Sequence, residues 1–222
     1  MPTHLTPLSE PTRDALVTGD PRRAFALAQA LTVQPKMSHQ ARGLWGYTGV
    51  TEAGLELTIQ STGSGGPGAT AVIGDLAALG VKRLVRLGTC VAAPGTCGVG
   101  ETLLVERAIA IDGTGQSPGT AEAESPDQHL LGLLEGVAPA AAVSSHGLVS
   151  RFDPAGPTPA EGAAARDLQT AAVLAFSRHL GIEAAAILVV SGIQNEEMLG
   201  EAELEPIFTE LGLRVVRRLE KN

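Results

Sequence analysis

Arg86 stands inside the apolar run Leu84-Val85-Arg86-Leu87-Gly88-Thr89. A guanidinium in such a run is costly to bury unless it meets an anion. Its fork matches phosphate oxygens, and the Thr89 hydroxyl adds a donor. Pairing with a structural carboxylate is the other reading, and the run alone leaves both open. Arg22 and Arg23 follow Gly19-Asp20-Pro21 and open a helix. Gly63-Ser64-Gly65-Gly66-Pro67-Gly68 has the spacing of a dinucleotide turn. The next strand ends in Leu87-Gly88-Thr89 without the carboxylate that ribose hydroxyls need there, so the run reads as a tight turn. Its backbone N–H groups suit an anion or a ligand edge. Cys90 could be a thiol nucleophile, but a buried structural thiol is the commoner case. The histidines (His4, His39, His129, His146 and His179) have no metal spacing with one another or with Cys90. Asp167 opens an alanine-rich helix and could cap it, while Gln169 could face a pocket or solvent.

Strands and helices must hold these groups. Ala15–Val17 predicts a short strand, and Arg22–Leu31 a helix with Pro21 in its first turn and Asp20 as its cap. Leu55–Gln60 alternates like a half-buried strand. Ala69, Val72, Ile73, Leu76 and Leu79 repeat at helical spacing, with Gly80 as the stop. Further strands are expected at Leu84–Leu87, Leu103–Val105, Ala140–Val143 and Ala185–Val190, the last apolar enough to be covered on both faces. Leu204, Ile207, Phe208, Leu211 and Val215 form a C-terminal helical stripe. Gly113–Pro126 and Pro154–Glu161 read as loops. The alternation predicts one α/β domain over residues 1–222.

Composition limits the partners. The 222 residues carry a formal net charge of -8, and only six are aromatic: Phe25, Trp45, Tyr47, Phe152, Phe176 and Phe208. Neither a basic footprint nor a row of stacking platforms for nucleic acid is present. No apolar run reaches the roughly 18 residues of a membrane helix. The N-terminus lacks a signal-peptide layout, and Cys90 and Cys97 cannot staple a secreted scaffold. A soluble cytoplasmic protein is the expectation.

Five segments in order resemble the phosphorylase family of purine nucleoside phosphorylase, uridine phosphorylase and the methylthioadenosine/adenosylhomocysteine nucleosidases. Gly19-Asp20-Pro21-Arg22-Arg23 looks like its Gly-Asp-Pro-x-Arg phosphate loop, and Thr62-Gly63-Ser64-Gly65-Gly66-Pro67 like its Thr-Gly-x-Gly-x-Pro turn. Arg86-Leu87-Gly88-Thr89-Cys90 resembles its Arg-x-Gly-Thr/Ser-Cys strand. Val99-Gly100-Glu101 resembles Val-Gly-Asp, and Asp112-Gly113 the following Asp-Gly. The resemblance implies a three-layer α/β/α sandwich around a mixed, partly barrel-like sheet. It implies phosphate held by Gly19, Arg23, Arg86 and Thr89, with Arg42 lent by a neighbouring subunit of a homodimer or homohexamer. His4 would reach a neighbour's ribose, with Leu168 and Gln169 at the sugar and Cys90, Phe152, Ser191 and Gly192 near the base. Arg86 and Gln169 would carry the catalysis, with inorganic phosphate as co-substrate and no other cofactor or metal.

Several positions depart from that pattern. The family's Met-Glu, whose Glu grips ribose hydroxyls, is here Leu168-Gln169, a neutral amide without charge assistance. Purine-specific members and the nucleosidases place an Asp after Val-Ser to assist the leaving base. This chain has Gly192 after Val189-Val190-Ser191. The uridine phosphorylases' Gln and Arg base readers align, counting from Phe152-Asp153-Pro154, with Gly156 and Thr158, leaving Arg151 or Gln194 as substitutes. The ending Ser191–Glu196 is nearer the uridine phosphorylase form. The resemblance therefore implies a uridine-phosphorylase-like cleavage of a nucleoside to ribose 1-phosphate and free base. A nucleoside- or phosphate-binding member with lost or altered catalysis is the alternative. A hydrolytic nucleosidase is disfavoured by the retained arginines and the two missing acids.

Overall fold

The computed structural model describes residues 2–116, 123–147, 158–194, 196 and 198–221. Among them the strands are β1 (Asp14–Thr18), β2 (Val33–His39), β3 (Gly46–Val50), β4 (Glu56–Ser61), β5 (Arg83–Ala92), β6 (Thr102–Ala110), β7 (Ala123–Glu124), β8 (Ala140–Ser145), β9 (Ala165–Asp167) and β10 (Glu183–Ile193). The helices are α1 (Pro21–Leu31), α2 (Gly65–Ala78), α3 (Gly113–Gln116), α4 (Gln128–Leu134), α5 (Thr170–His179) and α6 (Glu201–Leu219).

The sheet is mixed and partly closed, as expected. Strands run β2-β3-β4-β1-β5, and from β5 the sheet continues through β9, β8 and β6 to β10, which pairs back onto β5. Five strands thus close a barrel, and β1 to β4 form an open wing. β1 lies parallel to both β4 and β5, and β10 parallel to β5, whereas the β2-β3-β4 ribbon is antiparallel.

Side-chain alternation divides the core into two layers. On β10, Ala184, Ala186, Leu188 and Val190 face one cluster with α2 and α5. Ala185, Ile187 and Val189 face the other, with α1, α4 and α6. This period of two across an all-apolar strand requires helices on both faces. The same alternation puts Leu84, Cys90 and Ala92 of β5 in the α2/α5 cluster and Val85 and Leu87 in the other. Arg86 and Gly88 share the parity of the first set and so the α2/α5 face.

Local signals explain the element ends. Asp20 caps α1, its Oδ1 accepting from the backbone N–H of Arg22 at 2.6 Å and of Arg23 at 3.3 Å, with Pro21 in the first turn. Glu203 reaches back to the Gly200 N–H at 2.8 Å at the start of α6. β5, β6 and β10 run longer than their apolar cores indicate, and β2, β3, β9 and α4 have no counterpart in the sequence reading. Within Gly113–Pro126, expected to be a loop, the structure has α3 and β7.

Candidate active site

Val17 of β1 lies opposite Arg86 of β5, and Thr18 opposite Ser61 of β4. Gly19 and the turn beginning at Thr62 therefore leave the sheet at the end where Arg86 sits. A Cβ on Gly19 would lie 3.4 Å from the Gly63 carbonyl oxygen and 3.9 Å from Gln169 Oε1. Gly19, the glycine turn and the head of α5 thus meet.

Arg86 is buried and fully oriented there. Its Nε donates to Thr170 Oγ1 at 3.1 Å, Nη1 to Gln169 Oε1 at 2.8 Å, and Nη2 to Asp167 Oδ2 at 2.9 Å. Gly88 makes room for this posture, because a Cβ there would stand 2.5 Å from Nη2 and 2.6 Å from Cζ of Arg86. Arg86 thus pairs with a protein carboxylate, Asp167. These bonds use three of the five N–H donors of a guanidinium.

Asp167 is the hub, and its role exceeds that of a helix cap. Its carboxylate also accepts from Ser145 Oγ at 2.6 Å, Thr170 Oγ1 at 2.6 Å, and the backbone N–H groups of Gln169 and Thr170. Asp-x-x-Thr at a helix start was the available signal, but its reach to β5 and β8 is tertiary. Gln169 is buried, with both ends of its amide engaged. Oε1 accepts from Arg86 and from Thr62 Oγ1 at 3.2 Å, while Nε2 donates to the carbonyls of Gly63 at 2.5 Å and Gly65 at 3.2 Å. Leu168 beside it is half-buried.

Arg23 lies in the first turn of α1, stacked over the Phe208 ring with its guanidinium carbon 4.0 Å from the centroid. Its Nη2 donates to both oxygens of Glu201, at 2.8 and 3.1 Å. Sequence reading missed Glu201, which only the approach of α6 to α1 reveals. Arg42 is exposed, with φ 58, in the 3-10 turn Ala41–Gly43. His4 rides on an N-terminal arm. The backbone N–H groups of Thr3, His4 and Leu5 donate to the Asp75 carboxylate at 2.6 to 3.0 Å, and the Thr6 N–H donates to His39 Nδ1 at 3.1 Å. Burial pushes the Asp75 carboxyl up, but those backbone donors outweigh it and hold the group below the usual carboxylate range.

The remaining candidates lie along β5 and β10. Thr89 is half-buried. Cys90 is buried, and burial, with the nearby Asp167 charge, pushes its thiol far above the ordinary range, so it is not a ready thiolate. Ser191 Oγ donates to the Cys90 carbonyl at 3.0 Å. Gly192 is covered by Met198: a Cβ at 192 would come within 2.7 Å of Met198 Cγ. The Leu199 N–H bonds the Ser191 carbonyl at 2.7 Å and seals that edge. Phe152, Arg151 and Gly156 lie outside the described residues. Among those described, no group of three or more His, Cys, Asp or Glu is placed to hold a metal, and no helix is long and apolar enough to cross a membrane.

Barrel, open wing and flanking helices define a mixed α/β fold. It superposes on the crystal structure of purine nucleoside phosphorylase from Toxoplasma gondii in complex with immucillin-H. That match has a TM-score of 0.80 over 96% of this chain and 93% of the other at 21% identity, a likeness of fold. The chain belongs to the phosphorylase superfamily, whose family model matches residues 13–211. A purine nucleoside phosphorylase DeoD-type from Oceanobacillus iheyensis is 36% identical over 94 residues, 42% of this chain and 40% of that relative's length. One from Geobacillus kaustophilus is 29% identical over 209 residues, 88% of each chain. A uridine phosphorylase from Haemophilus influenzae is 33% identical over 99 residues, 45% of this chain and 38% of the relative. The relatives are more often purine than uridine phosphorylases, against the weight that the Ser191–Glu196 ending gives to uridine.

Proposed function

We propose that this chain cleaves the N-glycosidic bond of a nucleoside with inorganic phosphate, giving ribose 1-phosphate and the free base. The observation that carries the reading is the convergence of Gly19, the Thr62–Gly65 turn, Arg86 and Gln169 at one end of the sheet. Phosphate is the nucleophile at the anomeric carbon, and Gly19, Arg23, Arg86 and Thr89 position it, with Arg42 supplied by a neighbouring copy. Holding nucleophile and sugar together removes several kcal/mol of the barrier. Leu168, Gln169 and a neighbour's His4 lie at the sugar, and Cys90, Ser191 and Gly192 line the base side. A homodimer or homohexamer in the cytoplasm goes with this reading. For the base, the names of the relatives favour a purine over the uracil favoured by the ending of the chain.

A second reading, a nucleoside- or phosphate-binding member without efficient turnover, is favoured by one observation. The Gln169 amide spends its hydrogen bonds on protein groups. One screen separates the two: free-base release from purine and pyrimidine nucleosides, with and without phosphate. Phosphate-dependent release supports the enzyme, and phosphate-independent release overturns phosphorolysis. Binding without release supports the second reading.

A further inference from the structure

Arg83 and Arg23 each meet a carboxylate, and they do so differently. Arg83 makes a complete side-on fork with Asp14: Nε donates to Oδ1 at 2.7 Å and Nη2 to Oδ2 at 2.9 Å. Arg23 offers Glu201 only one corner. Nη2 serves both carboxylate oxygens, at 2.8 and 3.1 Å, and the buried Nε has no hydrogen-bond partner. Nε–H and the outer Nη2–H lie along one edge of a guanidinium, the edge that binds oxyanions bidentately. Half of that edge is therefore unused in Arg23, although the side chain is only 6% exposed and is held flat on Phe208.

Glu201 differs in kind from its partner. Its side chain is 54% exposed, so it can turn into solvent at little cost. It is not the residue that closes the start of α6, since Glu203 makes the bond to the Gly200 N–H. Nothing else in the described hydrogen bonding of α6 uses the Glu201 carboxylate.

We propose that Glu201 is an internal competitor for the oxyanion at Arg23, a residue that sets how tightly phosphate binds. Phosphate takes the Nε/Nη2 edge in side-on fashion and displaces the carboxylate, which swings into solvent. Arg23 is preorganised by Phe208 in both states, so only Glu201 has to move. This inference rests on the proposed phosphate role of Arg23, but it is tested without any nucleoside.

The experiment is calorimetric titration of inorganic phosphate into the wild-type protein and the Glu201→Gln and Arg23→Gln variants, with folding checked by circular dichroism. Removing the competing charge tightens phosphate binding in Glu201→Gln by about five-fold, the weight of one exposed ion pair. Arg23→Gln weakens binding. A purely structural role for Glu201 would leave affinity unchanged or lower it, so equal or weaker binding in Glu201→Gln overturns the proposal. Absence of phosphate binding in both the wild type and Glu201→Gln overturns it as well. If Glu201→Gln binds more tightly but no nucleoside is cleaved, the competitor stands and the proposed activity falls.

Discussion

Gln169 ties Arg86 to the glycine turn: its Oε1 accepts from Arg86 Nη1 at 2.8 Å while its Nε2 donates to the Gly63 and Gly65 carbonyls. Carbonyls only accept and a guanidinium only donates, so this amide has one workable orientation. Glutamate, the family residue at this point, would keep the Arg86 bond but set a carboxylate oxygen against two carbonyls. Gln169→Glu is therefore expected to destabilise the fold by about 1–3 kcal/mol, the cost of leaving buried acceptors unsatisfied. It should not raise kcat/KM. Denaturant unfolding and nucleoside kinetics check this; a more active Gln169→Glu would mean that a negative charge at the sugar outweighs the lost bonds to the turn.

Gly88 is needed for the posture of Arg86. A Cβ 2.5 Å from Nη2 forces the guanidinium away from Asp167. Gly88→Ala is expected to cost about 1–3 kcal/mol by overpacking. It should weaken phosphate binding at the same time, read by calorimetry on folded protein. Unchanged phosphate affinity would separate Arg86 from the anion site.

Placing an acid at position 192, proposed above to face the base, by Gly192→Asp meets a steric obstacle. The new Cβ falls 2.7 Å from Met198 Cγ. The single variant is expected to lose stability, again by about 1–3 kcal/mol. Gly192→Asp with Met198→Ala should recover part of that loss. Melting curves of the single and double variants provide the measurement.

Asp75 predicts acid release of the N-terminal arm. Its folded pKa is depressed, so its contribution is complete above the ordinary carboxylate value near 4 and is lost as the pH falls through the lower folded value. The amide resonances of Thr3, His4 and Leu5 should shift together below about pH 4. Asp75→Asn should release the arm at neutral pH.

Cys90 and Cys97 should differ in reactivity. Cys90 is buried with its thiol pushed up, whereas Cys97 is partly exposed. A maleimide at pH 8 is expected to label Cys97 in the folded protein and Cys90 only after denaturation, as intact-mass and peptide analysis will report.

Much of the architecture was legible because burial writes itself into periodicity. β10 has no polar residue through Ala184–Val190, and it packs helices on both sides. Asp20-Pro21 marked the start of α1, and the glycine turn fell between β4 and α2 as read. β2 was not legible: it is an edge strand with mostly exposed side chains and a proline at position 35, so no burial pattern marks it. Its partner β3 begins at Gly46 and carries little apolar signal.

For the site, the sequence by itself determined which groups exist: the arginines at 23 and 86, an amide at 169 and no side chain at 192. Their types follow from chain chemistry alone. Tertiary structure decided their partners. Arg86 met Asp167 because β9, which ends at Asp167, pairs with β5, and Arg23 met Glu201 because α6 packs on α1. Met198 came to cover Gly192 because residues 198–199 fold back on β10. A pairing between residues 81 or 178 positions apart leaves no local pattern, since it depends on how whole elements pack to bury their apolar faces.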